Sequence, residues 1–193
     1  MAHLEQISQA NAMTFKAIRL AAILDSPSAF GSTYAKESLL SDADWVKRAA
    51  DWSSHRSIGY LAMEEGRACG IAAAFLNEHD PTKAHVISMW IAPSHRRHGI
   101  GGLLIEAINA WAESRGAQRL ELMVTSNNIA ALDFYQRIGF SKTGNTEPYP
   151  NDSNLFEYEM HRPITKPDRI SKLHDSLNRV TKEHAKTLRR LAE

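Results

Sequence analysis

A strand-like run stops at Pro93, and the chain then passes through Pro93-Ser94-His95-Arg96-Arg97-His98-Gly99-Ile100-Gly101-Gly102 straight into a helical pattern. A glycine-rich turn at a helix start presents several backbone N–H groups outward, without Cβ atoms to block close approach, and the helix dipole adds positive potential. Such a turn is either a phosphate cradle or a tight corner whose glycines serve packing. Arg96 and Arg97 add charge that can meet a phosphate directly. The familiar glycine motifs do not fit. A dinucleotide fingerprint starting at Gly99 needs a glycine where Leu104 stands, and no Gly-Lys-Ser/Thr ending makes a nucleotide P-loop.

Periodicity places the loop in an α/β, or α+β layered, domain. Apolar spacings of three and four over residues 10–24 predict an amphipathic helix. Ser41, Asp42 and Asp44 supply a capping signal for another helix over 41–52, and the stretch between reads as a loop. Short apolar runs over 58–63 and 68–76, separated by Glu64, Glu65 and Gly66, predict a hairpin. A third strand covers 85–92, with His85, Ile87, Met89 and Ile91 on one face by alternation. Then follow a helix over 101–115, a strand over 120–124, a helix over 128–138 and a closing hairpin of 140–143 with 155–161. Beyond His161 the character changes. Pro163 and Pro167 read as a linker, and residues 168–192 as a charged helix with a stripe of Ile170, Leu173, Leu177 and Val180. That helix could lie on its own domain, form a homodimer contact or stay solvated.

Composition narrows the class. One cysteine among 193 residues, Cys69, excludes an intrachain disulfide and a four-cysteine metal site and fits a reducing, cytoplasmic setting. No paired His or carboxylate spacing suggests a metal site, so none is expected. Apolar runs fall far short of a membrane helix, and no membrane association is expected. Residues 1–161 carry 14 Lys and Arg against 18 Asp and Glu, a formal −4, whereas residues 162–193 carry 9 against 4, or +5. The basic tail has no aromatic residue for base stacking, which makes nucleic-acid binding an unfavoured reading.

Read with its surroundings, the loop resembles the acyl-CoA signature of the GNAT N-acetyltransferase superfamily: Arg96, Gly99 and Gly101 between a strand and a helix. The second half of the signature is also present, in Asn128, Ala131, Phe134-Tyr135 and Gly139-Phe140. Weaker similarity, notably at Ser26-Pro27-Ser28-Ala29-Phe30-Gly31, extends the likeness over about residues 5–161. The resemblance implies a mixed, mostly antiparallel sheet flanked by helices in residues 1–161, with residues 162–193 as an extra helical extension. It implies acetyl-CoA as cosubstrate, without a metal, and an amine of a small molecule, peptide or protein as acceptor. By position, Met89, Trp90 and Ile91 would meet the pantetheine arm and the thioester. Arg96 and the amides of Arg97, His98, Gly99, Ile100, Gly101 and Gly102 would hold the pyrophosphate, and Asn128 would add a polar contact.

The same likeness implies that Tyr135 protonates the departing thiolate. Asn128 and Tyr135 lie two turns apart on one helix face. Amide formation from a thioester needs a neutral attacking amine, a stabilised oxyanion and a proton for sulfur. The base is less constrained. The position where some relatives carry a glutamate holds Met123, and a second such position holds His85, a reasonable base near neutral pH. Glu121, Glu78 and a water relay compete with it. Trp45, Trp52 and Tyr149 could line an acceptor pocket or only pack. Met123 also motivates a different reading, a CoA-binding regulatory or interaction module acting through its C-terminal helix.

Overall fold

Alternation and helical spacing sort the apolar side chains of the computed structural model, which describes residues 2–164, into two cores on opposite faces of one sheet. The sheet has seven strands: β1 (His3–Gln6), β2 (Ser57–Glu64), β3 (Arg67–Leu76), β4 (Lys83–Ile91), β5 (Arg119–Thr125), β6 (Ser141–Pro148) and β7 (Phe156–Pro163). Their order is β1-β2-β3-β4-β5-β7-β6, and every pairing is antiparallel except β4 with β5. The expected α/β class with a mostly antiparallel sheet is what the chain forms.

Helix α1 (Ala12–Asp25) and helix α3 (Asp42–Asp51) cover one face, where Ile7, Phe15, Ile23, Trp45, Leu61 and Ile71 pack together. Ser41 caps α3 as its sequence signals, accepting from Asp44 N while the Asp44 carboxylate accepts from Ser41 N. Helix α4 (Ile100–Ser114) covers the other face through Leu104, Ile105, Ile108 and Trp111, and α5 (Ile129–Arg137) adds Leu132 and Tyr135. A fifth, four-residue helix, α2 (Tyr34–Glu37), lies inside the segment expected to be a loop.

Two strands exceed what the apolar pattern shows. β1 is an edge strand with only Leu4 partly covered, and all of β6 is exposed, so neither carries an alternation. β7 continues through Pro163, and Ile164 N donates to Gln118 O, so the sheet runs past His161 into the stretch read as linker. The expected helix over 168–192 and its stripe lie outside the described residues. Among the described residues no helix is long and apolar enough to cross a membrane.

A buried ion pair joins the helices to β4. Arg19 of α1 donates to both carboxylate oxygens of Glu37 at 3.1 and 2.8 Å, Arg48 of α3 approaches Glu37 at 3.3 Å, and Arg19 also donates to Ser88 Oγ at 3.1 Å. Burial pushes the Glu37 carboxyl up, but the hydrogen bond and charge of Arg19, with Arg48, outweigh it and hold the group below its ordinary range. A depressed acid stabilises the fold while ionised, so this contribution is lost as pH falls through the ordinary glutamate range and below. Glu37→Ala leaves Arg19 buried without its partner and is expected to cost about 3 kcal/mol. Urea unfolding at neutral pH checks it, and a cost under 1 kcal/mol means Arg19 finds water.

Candidate functional site

The parallel ladder between β4 and β5 lasts for only three register pairs, Lys83 with Arg119, Ala84 with Leu120 and His85 with Glu121. Beyond His85 the two strands part, and the β5-facing edge of β4 has no partner strand. A cleft of about 470 Å³ occupies the opening, lined by β4 from His85 to Met89, β5 from Leu122 to Thr125, Asn128 just before α5, and Ala131 and Tyr135 of α5. Arg19, Ala29, Phe30, Gly31 and Ser32 close it from the α1 side. This last segment is held in place by distant residues: Thr125 Oγ1 donates to Ser28 O at 2.7 Å, and Tyr149 OH to Phe30 O at 2.9 Å.

Strand β4 does not keep one alternation. Ile71 pairs with Trp90 and Ala73 with Ile87, so β4 holds one residue more than β3 between these points. The extra residue is accommodated by a bulge in which Ser88 takes φ 57°, steadied by Arg19. The expectation that His85, Ile87, Met89 and Ile91 share a face is therefore corrected. Met89 and Ile91 pack with the α4 core, whereas His85, opposite Phe75, lies on the α1 side. Trp90 is buried on the α1 side and donates from Nε1 to Asp25 at 2.8 Å. The side chains of Trp90 and Ile91 are thus committed to packing, and what β4 offers a ligand past His85 is its main-chain edge.

The loop after β4 forms a nest of free donors. Gly99 is the N-cap of α4 at φ 81°, and Arg97 also takes positive φ, 66°. No acceptor among the described residues takes the N–H groups of Arg97, His98, Gly99, Ile100, Gly101 and Gly102; the first bond of the helix is Leu103 N to Gly99 O at 3.1 Å. Successive free amides at the start of a 15-residue helix are a site for a phosphate. The space above Gly99 and Gly102 is open, whereas a Cβ at Gly101 would lie 2.9 Å from the Phe134 ring. Gly101 therefore serves the contact of α4 with α5, and Gly99 and Gly102 leave the nest uncovered.

The two arginines separate. Arg96 donates through Nε to Ile91 O at 2.9 Å and pairs with Asp25, which also accepts from Trp90. It straps the loop to the end of α1. The Trp90 hydrogen bond, with those of Ser26 and Arg96, holds the Asp25 carboxyl below its ordinary range despite some burial. Arg97 is exposed and has no ion partner among the described residues, as is true of His98. His95 faces Glu64 at 3.6 Å.

Asn128 caps α5, its Oδ1 accepting from Ala131 N at 3.2 Å, and it also lines the cleft. The Tyr135 ring rests between Phe134 and Phe140, at 5.1 and 5.4 Å, and its side chain reaches the cleft. Burial pushes its phenol well above the ordinary tyrosine range, so the hydroxyl keeps its proton at neutral pH. His85 sits at the closed end of the opening, with Glu121 Oε2 at 3.6 Å and Asn77 Nδ2 at 3.0 Å from its Nε2. Met123 lines the cleft; Glu121 and Glu78 do not. Trp45 is wholly buried in the α1 core, Trp52 packs against it and Tyr149 is buried over the 26–31 segment, so none of the three lines the cleft.

Sequence reasoning missed Arg19, Ser88 and Glu157. Glu157 is raised above the ordinary glutamate range by burial and by Glu147 opposite it on β6. Nothing local marks these residues, since each reaches the cleft through pairing with remote strands or helices. Among the described residues no group of three or more His, Cys, Asp or Glu is placed to hold a metal.

Comparison with known proteins gives one consistent family. The model of the acetyltransferase (GNAT) family matches residues 20–140. N-acetyltransferase family 8 member 3 of Mus musculus is 31% identical over 98 residues, 49% of this chain and 43% of that protein, so the match spans less than half of the relative's length. A GNAT-family acetyltransferase from Streptococcus pneumoniae superposes with a TM-score of 0.72 at 23% identity, covering 85% of this chain and 100% of the other. The yncA protein of Salmonella typhimurium, solved with acetyl-CoA, superposes with a TM-score of 0.71 at 15% identity, covering 86% and 95%.

Proposed function

The chain belongs to the GNAT acetyltransferase family, and we propose that it is an N-acetyltransferase carrying acetyl from acetyl-CoA directly to a primary amine in a ternary complex. The observation that carries this reading is the opening between β4 and β5, which has a buried protonated phenol in its wall and continues along β4 to a nest of free amides. A ligand with a phosphate at one end and an amide-containing arm at the other matches that sequence of donors. The residues present fit acetyl-CoA.

In this reading the amides of Arg97 to Gly102 hold the pyrophosphate, Arg97 adds charge, and the unpaired edge of β4 takes the pantetheine amides. Acetyl-CoA supplies an activated acyl group as a thioester. A C–N bond forms to the acceptor amine as the C–S bond breaks; His85 takes the proton of the amine and Tyr135 gives its proton to the departing sulfur. Asn128 stabilises the start of α5, which carries Tyr135. The transferase domain, expected over residues 1–161, runs to the end of β7 at Pro163, and the basic stretch beyond it is an extension of that domain, in a cytoplasmic protein.

Direct transfer leaves no role for Cys69. It is buried, its Sγ donates to Ala62 O at 3.3 Å, it lies outside the cleft, and burial pushes its thiol up, away from the reactive thiolate. Cys69→Ala is expected to retain acetyl transfer within about twofold, because alanine keeps the strand and loses only one small buried group. Abolished turnover in a variant that still folds would establish an acyl-cysteine route instead.

The test of the function is release of free thiol from acetyl-CoA against a panel of amino acids, polyamines, aminoglycosides and peptide N-termini. A class of acceptor that accelerates release supports the proposal. Acetyl-CoA binding without release across the panel favours the regulatory module acting through the C-terminal extension, and deletion of the residues after Ile164, which leaves Arg162 and the whole of β7 in place, then abolishes partner binding.

A further inference from the structure

Asn77 and Glu121 approach the same ring nitrogen of His85 and demand opposite things of it. Asn77 Oδ1 accepts the N–H groups of His79 at 2.9 Å and of Asp80 at 3.0 Å. This fixes the side-chain amide, so the atom 3.0 Å from His85 Nε2 is Nδ2, which can only donate. A donated hydrogen bond needs a lone pair on Nε2, and the neutral ring then carries its proton on Nδ1. Glu121 Oε2, 3.6 Å from that same Nε2, asks instead for a proton there.

Glu121 is built for this second demand. It is only 4% exposed, and it stands directly opposite His85 in the last pair of the β4–β5 ladder. Its Oε1 is taken by Arg119 Nε at 2.7 Å and Lys83 Nζ at 3.7 Å, which leaves Oε2 to face the imidazole. Phe75 stacks on the ring from β3, with centroids 5.3 Å apart, and limits its rotation. His85 lines the cleft while Asn77 and Glu121 do not; both of these engage Nε2, and Nδ1 is the ring nitrogen left without a hydrogen-bond partner among the described residues.

Resting on the reading of His85 as the base, the geometry points to Glu121 as a positioning residue that selects the catalytic tautomer of His85, with Asn77 favouring the opposite one. With the proton on Nε2 and donated to Glu121, the Nδ1 lone pair takes a proton from the acceptor amine, and the imidazolium is stabilised by the carboxylate until that proton passes to solvent. With the proton on Nδ1 that lone pair is blocked. The other charges around the ring are Lys83 on β4, paired with Asp80 at 3.7 Å; Arg119 on β5; and Glu159 on β7, which feels both Lys83 and His85. His161 on β7 stands opposite Glu121.

The test uses the full chain and two isosteric changes. Glu121→Gln removes the charge and keeps an oxygen for Arg119. Asn77→Asp keeps the acceptor for His79 and Asp80 and replaces the donor facing Nε2 by an acceptor. Nitrogen-15 NMR of the His85 ring reads the tautomer without requiring turnover. In Glu121→Gln the ring is expected to shift to the Nδ1–H form, kcat to fall roughly tenfold or more, and the acidic limb of the kcat profile to move to lower pH, since the protonated ring loses its carboxylate. Acetyl-CoA affinity by calorimetry stays within about twofold. Asn77→Asp shifts the ring to Nε2–H and the acidic limb to higher pH, and the double variant regains part of the lost kcat, which a purely structural role of Glu121 does not allow. An unchanged tautomer in both single variants overturns the proposal. A changed tautomer with an unmoved rate profile removes His85 as the base, and the proposal with it, while leaving acetyl transfer standing. If the unaltered protein releases no thiol with any acceptor, the transferase reading fails and the catalytic role assigned to Glu121 fails with it, and the NMR arm then judges the Glu121–His85 coupling alone.

Discussion

Tyr135→Phe is expected to lower kcat about 100-fold or more while the dissociation constant for acetyl-CoA stays within about twofold, the range for losing a positioned general acid. The argument is that the ring and the hydroxyl do different things. The ring is held between Phe134 and Phe140 and belongs to the α4 core, and phenylalanine keeps all of that contact. The hydroxyl makes no hydrogen bond among the described residues, so its removal leaves no partner unsatisfied and stability should hardly change. Burial raises the phenol, which disfavours loss of its proton, so the alkaline limb set by this group lies above the ordinary tyrosine range. Steady-state kinetics with a fixed acceptor, beside calorimetric titration of acetyl-CoA, separates the two quantities. Unchanged kcat, or a matched loss of binding and turnover, removes Tyr135 as the acid.

Gly102→Asp tests the opposite end of the cleft, and here binding is expected to collapse while the fold holds. Gly102 is the third residue of α4 after its cap, the space around it is open, and its φ is not in the left-handed region, so a side chain fits. Aspartate in the first turn complements the helix dipole and has a better helix propensity than glycine, so thermal stability should be kept or slightly raised. The same carboxylate occupies the nest where a pyrophosphate would lie and repels it. Loss of charge-assisted contacts worth about 3 kcal/mol corresponds to roughly 100-fold weaker acetyl-CoA binding. Equal affinity in the variant would sink the assignment of the nest. Gly101 is a poorer probe, since its Cβ would strike Phe134 beside Tyr135 and disturb both ends of the site at once.

The parts of this site that local chemistry dictates were legible in the sequence. A strand, a proline, a glycine turn and a helix follow one another without a break, and each acts on its neighbours within a few residues. The same holds for Asn128, whose capping role follows from its place before Ile129, and for the two helices that carry the core of each face. Strands β1 and β6 were not readable to their full extent, because they bury almost nothing and so have no alternation to show. Arg96 was read as a phosphate contact from its position alone, but its guanidinium is held by Asp25 and the carbonyl of Ile91. The pairing of Arg19 with Glu37 was equally invisible, since it joins two helices and a strand that the chain order keeps apart.

The amino-acid sequence by itself determined the order of the longer helices and strands from α1 onward, the family likeness and the glycine nest at the start of α4, because these rest on propensities and spacings within a turn or two. Only the tertiary structure decided where β4 and β5 part, which face each residue of β4 takes, and which groups meet at His85. The reason is a one-residue bulge. Ser88 takes φ 57° because β4 must keep register with β3 on both sides of it and because Arg19, far away in the chain, donates to its hydroxyl. Past that point a period-two reading of β4 assigns side chains to the wrong face. Register is a property of paired strands, and no single strand carries it.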